Sequence, residues 1–195
     1  MPKDMPSIAA DGLPNISGAE KEIEKAIKDG ALKPVFKDAG GKDMQQADAV
    51  FAVALHMHQP LIPAGGKNLS LADIISNLKD MMDNQGEGDN HNAPAFADCY
   101  KRMGDIIPQL LGEGKKPKVM LEYSGTLLFG LEQMGRKDII DSLKKITNDP
   151  AYRDSVEWLG CPWGHAVAPS TPVQDFKLHV KAWQQNFAAI SERRH

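Results

Sequence analysis

Asp48-Ala-Val-Phe-Ala-Val-Ala-Leu-His56, running on into Met57-His58-Gln59-Pro60, decides how this chain folds. A nearly continuous apolar run between polar residues is the pattern of a strand buried on both faces, as in parallel sheets. Pro60, Pro63, Gly65 and Gly66 break the chain behind it. Further along, Lys118 to Glu122 offers a second short strand around Val-Met-Leu, and Val156-Glu157-Trp158-Leu159 a third. Helical patterns fall between the strands. Ser70 is placed to cap a helix in which Leu71, Ile74, Ile75, Leu78 and Met82 recur at helical spacing. Another pattern runs from about Ala95 to Leu111, where Pro108 should bend or end it. Ser124 starts a helix with Leu127, Leu128 and Leu131 on one side and Gly135 as its stop, and Arg136 to Asn148 continues as helix. The last pattern is the clearest: Thr171 as cap, Pro172 at the first helical position, and a stripe of Phe176, Val180, Trp183, Phe187 and Ile190. Strand, helices, strand, helices, strand, helix is the order of parallel βα units.

Upstream of residue 48 the chain reads as a lead. Residues 1–16 look flexible, and Ser17 with Glu20, then Ile23, Ala26 and Ile27, then Gly30, predict a short amphipathic helix over about 17–30. The expected organisation is therefore a lead over 1–47 and one α/β domain over 48–195. With 195 residues the chain is shorter than the roughly 250 of a closed parallel α/β barrel, so it holds a small α/β domain or part of a barrel.

Composition narrows the function classes. With 42% hydrophobic and 25% charged residues the chain is of ordinary globular type, and a net charge of -3 gives no broad basic face for nucleic acid. No apolar run approaches the roughly 20 residues of a membrane span, and the proline-bearing start lacks the order of a secretory signal. A cytoplasmic location is the default expectation. Cys99 and Cys161 are too few for a disulfide framework and form no CxxC pair. The two Gly-Gly-Lys triplets do not follow the P-loop pattern, and the polar run around Gly86-Glu-Gly88-Asp89-Asn90 lacks the ligand spacing of a calcium loop.

In parallel α/β architectures the working residues gather at the carboxyl ends of strands. Three places qualify. In His56-Met57-His58-Gln59-Pro60, the period of two puts both imidazoles on one side of an extended chain, ready to ligate a metal or bond a polar ligand, unless they merely satisfy loop backbone. Glu122, ahead of Tyr123-Ser124-Gly125, is a carboxylate that is costly to bury alone, whereas Ser124 and Gly125 suit a helix start. Glu157-Trp158 with Gly160-Cys161-Pro162-Trp163-Gly164-His165 sets two indoles beside a carboxylate and an imidazole, a pattern suited to stacking on sugars. The structural alternative makes Trp158 core and Trp163 a plug. A Cys161/His165 thiol nucleophile is a weak reading.

The combination of the three strand ends resembles the N-terminal part of glycoside hydrolase family 57, which includes amylases, glycogen branching enzymes and 4-α-glucanotransferases. The resemblance rests on His56-Met57-His58-Gln59-Pro60, on Leu121-Glu-Tyr-Ser-Gly-Thr-Leu-Leu128 and on Val156-Glu157-Trp158-Leu159-Gly160 with its following loop, and covers about residues 48 to 190. It implies the first part of a (β/α)7 barrel, about three parallel strands with surrounding helices, acting on an α-glucan or oligosaccharide by retaining hydrolysis or glucan transfer, without a metal or organic cofactor. His56 and Glu157 would line the sugar site, His58 would support them, and Trp163, His165 and Glu122 complete the substrate-binding set. The family's glutamate nucleophile and aspartate acid/base, which a retaining mechanism holds about 5 Å apart, are expected beyond His195, so the 195-residue chain alone is expected to be inactive. Two other readings stay open: a metal-dependent hydrolase using His56, His58 and His165, and a non-catalytic carbohydrate-binding or interaction protein. A short open sheet should hide its edges by self-association or by pairing with a C-terminal half.

Overall fold

A computed structural model describes residues 48–49, 51–64, 70 and 72–191. The expected lead and helix within 1–47, the expected helical position Leu71 and the side chain of Ile190 lie outside the described residues.

Three strands form a parallel sheet in the order β1 (Ala54–Met57), β4 (Val119–Tyr123), β5 (Val156–Trp158). Leu55 stands beside Leu121, His56 beside Glu122 and Met57 beside Tyr123, while Met120 faces Glu157 and Leu121 faces Trp158. Each parallel step needs a crossover, and helices supply both. Between β1 and β4 run a two-stranded antiparallel pair, β2 (Leu61–Ala64) with β3 (Asp73–Ser76), then α1 (Asn77–Asp83) and α2 (Ala93–Gly112). Between β4 and β5 run α3 (Gly125–Gln133) and α4 (Lys137–Asn148), and α5 (Val173–Ser191) follows β5.

Side chains alternate across a strand, so register sorts the sheet into two faces. Leu55, Met57, Leu121, Tyr123, Val156 and Trp158 share one face and join the core with Leu78, Ala97, Ile107, Leu127, Leu131, Ile139, Leu143 and Ile146 from the helices. Leu121, Tyr123, Leu127, Leu131, Ile139, Leu143 and Ile146 are fully buried. Each such leucine or isoleucine contributes about 1.5–3 kcal/mol of transfer free energy. On the other face Ala54, His56 and Glu157 are exposed and Met120 and Glu122 half-buried. The expectation of a first strand buried on both faces is corrected here. Paired strand begins only at Ala54, Phe51 is 91% exposed, and one face of the sheet is open. A continuous apolar run cannot distinguish two covered faces from one covered face and one of small residues such as Ala54.

Two helical expectations are corrected as well. The α-helix expected from Ser70 begins later: Ile74 and Ile75 lie in β3, opposite Pro63 and Ile62, and the helix starts at Asn77 with Ser76 as cap, its hydroxyl accepting from the Leu78 amide at 3.2 Å. Spacing of three and four is shared by a helix and by a strand followed by a helix, and β-branched Ile74 and Ile75 favour the strand. The break expected behind Pro60 holds β2, with Pro63 tolerated in a two-stranded edge. Of the two outcomes expected at Pro108, a bend or an end, the end does not occur: α2 continues to Gly112, with Ala97, Tyr100, Gly104 and Ile107 buried. Thr171 does not cap α5 as expected: its hydroxyl donates to Val167 O at 2.8 Å, and the helix begins at Val173, after Pro172. Gly135, at φ 67°, closes α3: its own amide reaches Glu132 O and the Arg136 amide reaches Leu131 O. Among the described residues no helix is long and apolar enough to cross a membrane.

Candidate functional site

The carboxyl ends of β1 and β4 and the loop after β5 meet on the open side of the sheet. His56 and Glu122 are registered neighbours on that face, and His56 Nδ1 lies 3.1 Å from Glu122 Oε2. Their side chains keep 46% and 23% of their accessible surface, so solvent reaches both. His165 arrives from the loop after β5: its ring centroid stands 4.7 Å from that of His56 and 4.3 Å from that of His58, stacked on the latter. Three imidazoles and a carboxylate, from segments far apart in sequence, thus form one cluster.

Each member is held from behind. His58 Nδ1 is hydrogen-bonded to Ser124 Oγ at 2.8 Å, across a sequence separation of 66 residues. The same buried hydroxyl accepts from the Leu127 amide and caps α3, so one serine ties the helix start to the His-rich turn. Burial, with His165 and His56 close by, holds the His58 imidazole below its ordinary range, against a smaller opposing pull from Glu122. Gln59 is structural: its amide donates to Tyr100 Oη at 3.0 Å and its carbonyl accepts from Asn77 Nδ2 at 2.9 Å. The Ser124 amide donates to Met57 O.

The loop from Gly160 to His165 is fixed by α3 and α5. Trp163 O accepts from the Thr126 amide, the Trp163 amide donates to His179 O, and the Gly164 amide donates to His179 Nδ1 at 3.1 Å. Gly125 leaves room for the indole: a Cβ there would sit 2.0 Å from Trp163 Cδ1. The Tyr123 carbonyl accepts from Trp183 Nε1 at 3.0 Å and receives the Cys161 thiol at 3.7 Å. At the end of this braced segment His165 takes φ 57°, a left-handed conformation uncommon for a residue with a Cβ.

Of the residues singled out in the sequence, His56, His58, Glu122 and His165 come together. Glu157 stands on the same open face, beside Met120, and is exposed. Trp163 is half-buried against Phe129, 6.2 Å between ring centroids, and its Nε1 is buried without a hydrogen-bond partner among the described residues. Trp158 belongs to the core, donating from Nε1 to Thr147 Oγ1 at 3.1 Å. The thiol-nucleophile reading does not fit, because burial and the neighbouring Glu122 carboxylate push the Cys161 thiol up to about 12. Sequence reasoning missed Ser124 as the partner of His58 and His179 as the anchor of the last loop. The signal for Ser124 was its place directly after the second strand, level with the turn that follows the first.

Of the five histidines and carboxylates gathered here, His56, His58, His165, Glu122 and Glu157, a narrower set suits a cation. One nitrogen each from His56 and His165 and one oxygen of Glu122 lie within 4.8 Å of one another. This set differs from the expected trio of His56, His58 and His165 in holding Glu122, while His58 Nδ1 is hydrogen-bonded to Ser124.

Comparison with protein-family models, with curated proteins and with solved structures finds no match to this chain.

Proposed function

We propose that the chain forms the sugar-contacting part of an α-glucan-active glycoside hydrolase of the family 57 type, and that sheet β1-β4-β5 is an arc of a (β/α)7 barrel. The observation that carries this reading is the convergence of His56, His58, Glu122 and His165 on the open face at the carboxyl ends of adjacent parallel strands. Strands that follow one another through crossovers are neighbours in the sheet, and the helical core lies on one face, leaving the other as a barrel interior would be. A ring of imidazoles and carboxylates offers donors and acceptors to sugar hydroxyls, with Glu157 farther along the same face. Glu122 is already engaged by His56 and Cys161, so its role is to hold and orient rather than to attack the sugar carbon. The outer strands β1 and β5 suit pairing with a partner segment that extends the sheet.

Calorimetric titration with maltooligosaccharides tests the reading. Saturable binding that is weakened at least about tenfold by His56→Ala and by Glu157→Gln supports it. Absence of binding at millimolar oligosaccharide, or binding unchanged in both variants, overturns it.

A further inference from the structure

We propose that His56, Glu122 and His165 form a binding site for a divalent transition ion of the zinc type. The inference goes beyond the α-glucan reading and does not depend on it.

The donor set is the first argument. Two imidazole nitrogens and one carboxylate oxygen are the ligands that borderline ions such as zinc, cobalt and nickel prefer, and three protein ligands leave a further position for water. Distance is the second. Zinc sits about 2.0–2.2 Å from nitrogen and oxygen ligands, which places tetrahedral ligand atoms about 3.4 Å apart. His56 Nδ1 and Glu122 Oε2 are already 3.1 Å apart, and the full set spans no more than 4.8 Å, so side-chain rotation alone closes it. Access is the third: His56 and His165 are exposed and Glu122 half-buried, so an ion enters from solvent without opening the fold.

Rigidity is the fourth and most particular argument. The strand pair β1 and β4 fixes His56 against Glu122 by register. His165 is brought to them by a loop pinned at Trp163 and Gly164, and it holds a left-handed backbone conformation to arrive there. A strained residue retained at the end of a braced loop marks a position that the surrounding contacts enforce. His58, bonded to Ser124 and stacked on His165, is a positioning residue that limits the swing of the His165 ring.

The test uses the metal-free full chain without any sugar present. Zinc chloride is titrated calorimetrically, and cobalt(II) is followed by its visible absorption. The expected result is one equivalent bound at micromolar concentration, with the intense visible bands of a four-coordinate nitrogen and oxygen site. His56→Ala, His165→Ala and the near-isosteric Glu122→Gln should each weaken binding at least about tenfold, while His91→Ala, on an exposed turn elsewhere, leaves it unchanged. Circular dichroism identifies any variant that fails to fold, and the remaining variants with the wild-type cobalt spectrum then decide. No saturable binding by the wild type overturns the site, as does binding that survives all three substitutions. A thiolate-to-cobalt charge-transfer band also overturns it, because a cysteine, Cys99 or Cys161, would then be a ligand.

Discussion

Gly125→Ala is the sharpest probe of how the site is braced. Gly125 opens α3 directly beneath the indole of Trp163, and a methyl group there would lie 2.0 Å from Cδ1 and 2.6 Å from both Cγ and Nε1. No ordinary carbon contact is that short, so the ring has to leave. Overpacking of this kind costs about 1–3 kcal/mol. Replacing glycine in a helix returns about 0.5–1 kcal/mol of backbone entropy, and because the 2.0 Å approach puts the overpacking at the upper end of its range, the net loss is about 2 kcal/mol. The displacement also has a direction. Trp163 is bonded through its carbonyl to the Thr126 amide and through its amide to His179 O, so moving the ring loosens the loop that carries His165. Gly104→Ala is the matched control. A Cβ at that position would meet Ser142 Oγ at 1.7 Å and Ser142 O at 2.9 Å, a comparable overpacking between α2 and α4, well away from the loop. Urea unfolding followed by far-ultraviolet circular dichroism should show both variants destabilised. Amide hydrogen exchange should show faster exchange of the segment 160–165 in Gly125→Ala alone. Unchanged stability of Gly125→Ala, or equal loosening of 160–165 in both variants, would refute the bracing argument.

Two further outcomes concern titrating groups. With its thiol at about 12, Cys161 carries a thiolate fraction of about 10⁻⁴ at pH 8, and iodoacetamide should modify it about a thousandfold more slowly than a free cysteine, whereas exposed Cys99 labels in the folded state; mass spectrometry showing both thiols modified at similar rates contradicts the burial argument. For His58 the sign follows from its lowered folded-state value: the native imidazole resists a proton that the unfolded chain accepts at the ordinary value of about 6.5. Stability should therefore fall as pH drops below that value and recover as it rises, and His58→Gln should flatten the slope between pH 7 and 5, with His56, His165, Glu122 and Cys161 left as its titratable neighbours. An unchanged slope in chemical denaturation would set the cause elsewhere.

The strands at Val119 and Val156 and the helices that follow them were legible because each is bounded by strong local signals. Ser124 caps, Gly135 turns left-handed, and Ile139, Leu143 and Ile146 repeat at helical spacing. The first strand was legible in kind but misplaced in extent, since an apolar run says that burial is possible and not where a neighbouring strand begins. Ser70 to Met82 was misread because the chain changes period inside it: Ile74 and Ile75 obey their cross-strand partners, Leu78 its helix. At the site, His56, His58, Glu122 and His165 were nameable one by one from their strand-end positions. Their mutual arrangement was not, because the contacts of His58 with Ser124 and of Cys161 with the Tyr123 carbonyl are set by tertiary packing between distant segments.

The Tyr123 carbonyl fastens both Trp183 and Cys161, the helix of one segment and the loop of another. A backbone oxygen is supplied by every amino acid, so no replacement of the Tyr123 side chain can delete this acceptor. The vulnerability sits entirely with the donors. Position 123 answers only for its ring packing and for the hydroxyl that donates to Tyr100 O at 2.8 Å, while Trp183 and Cys161 each carry the constraint for the segment they fasten.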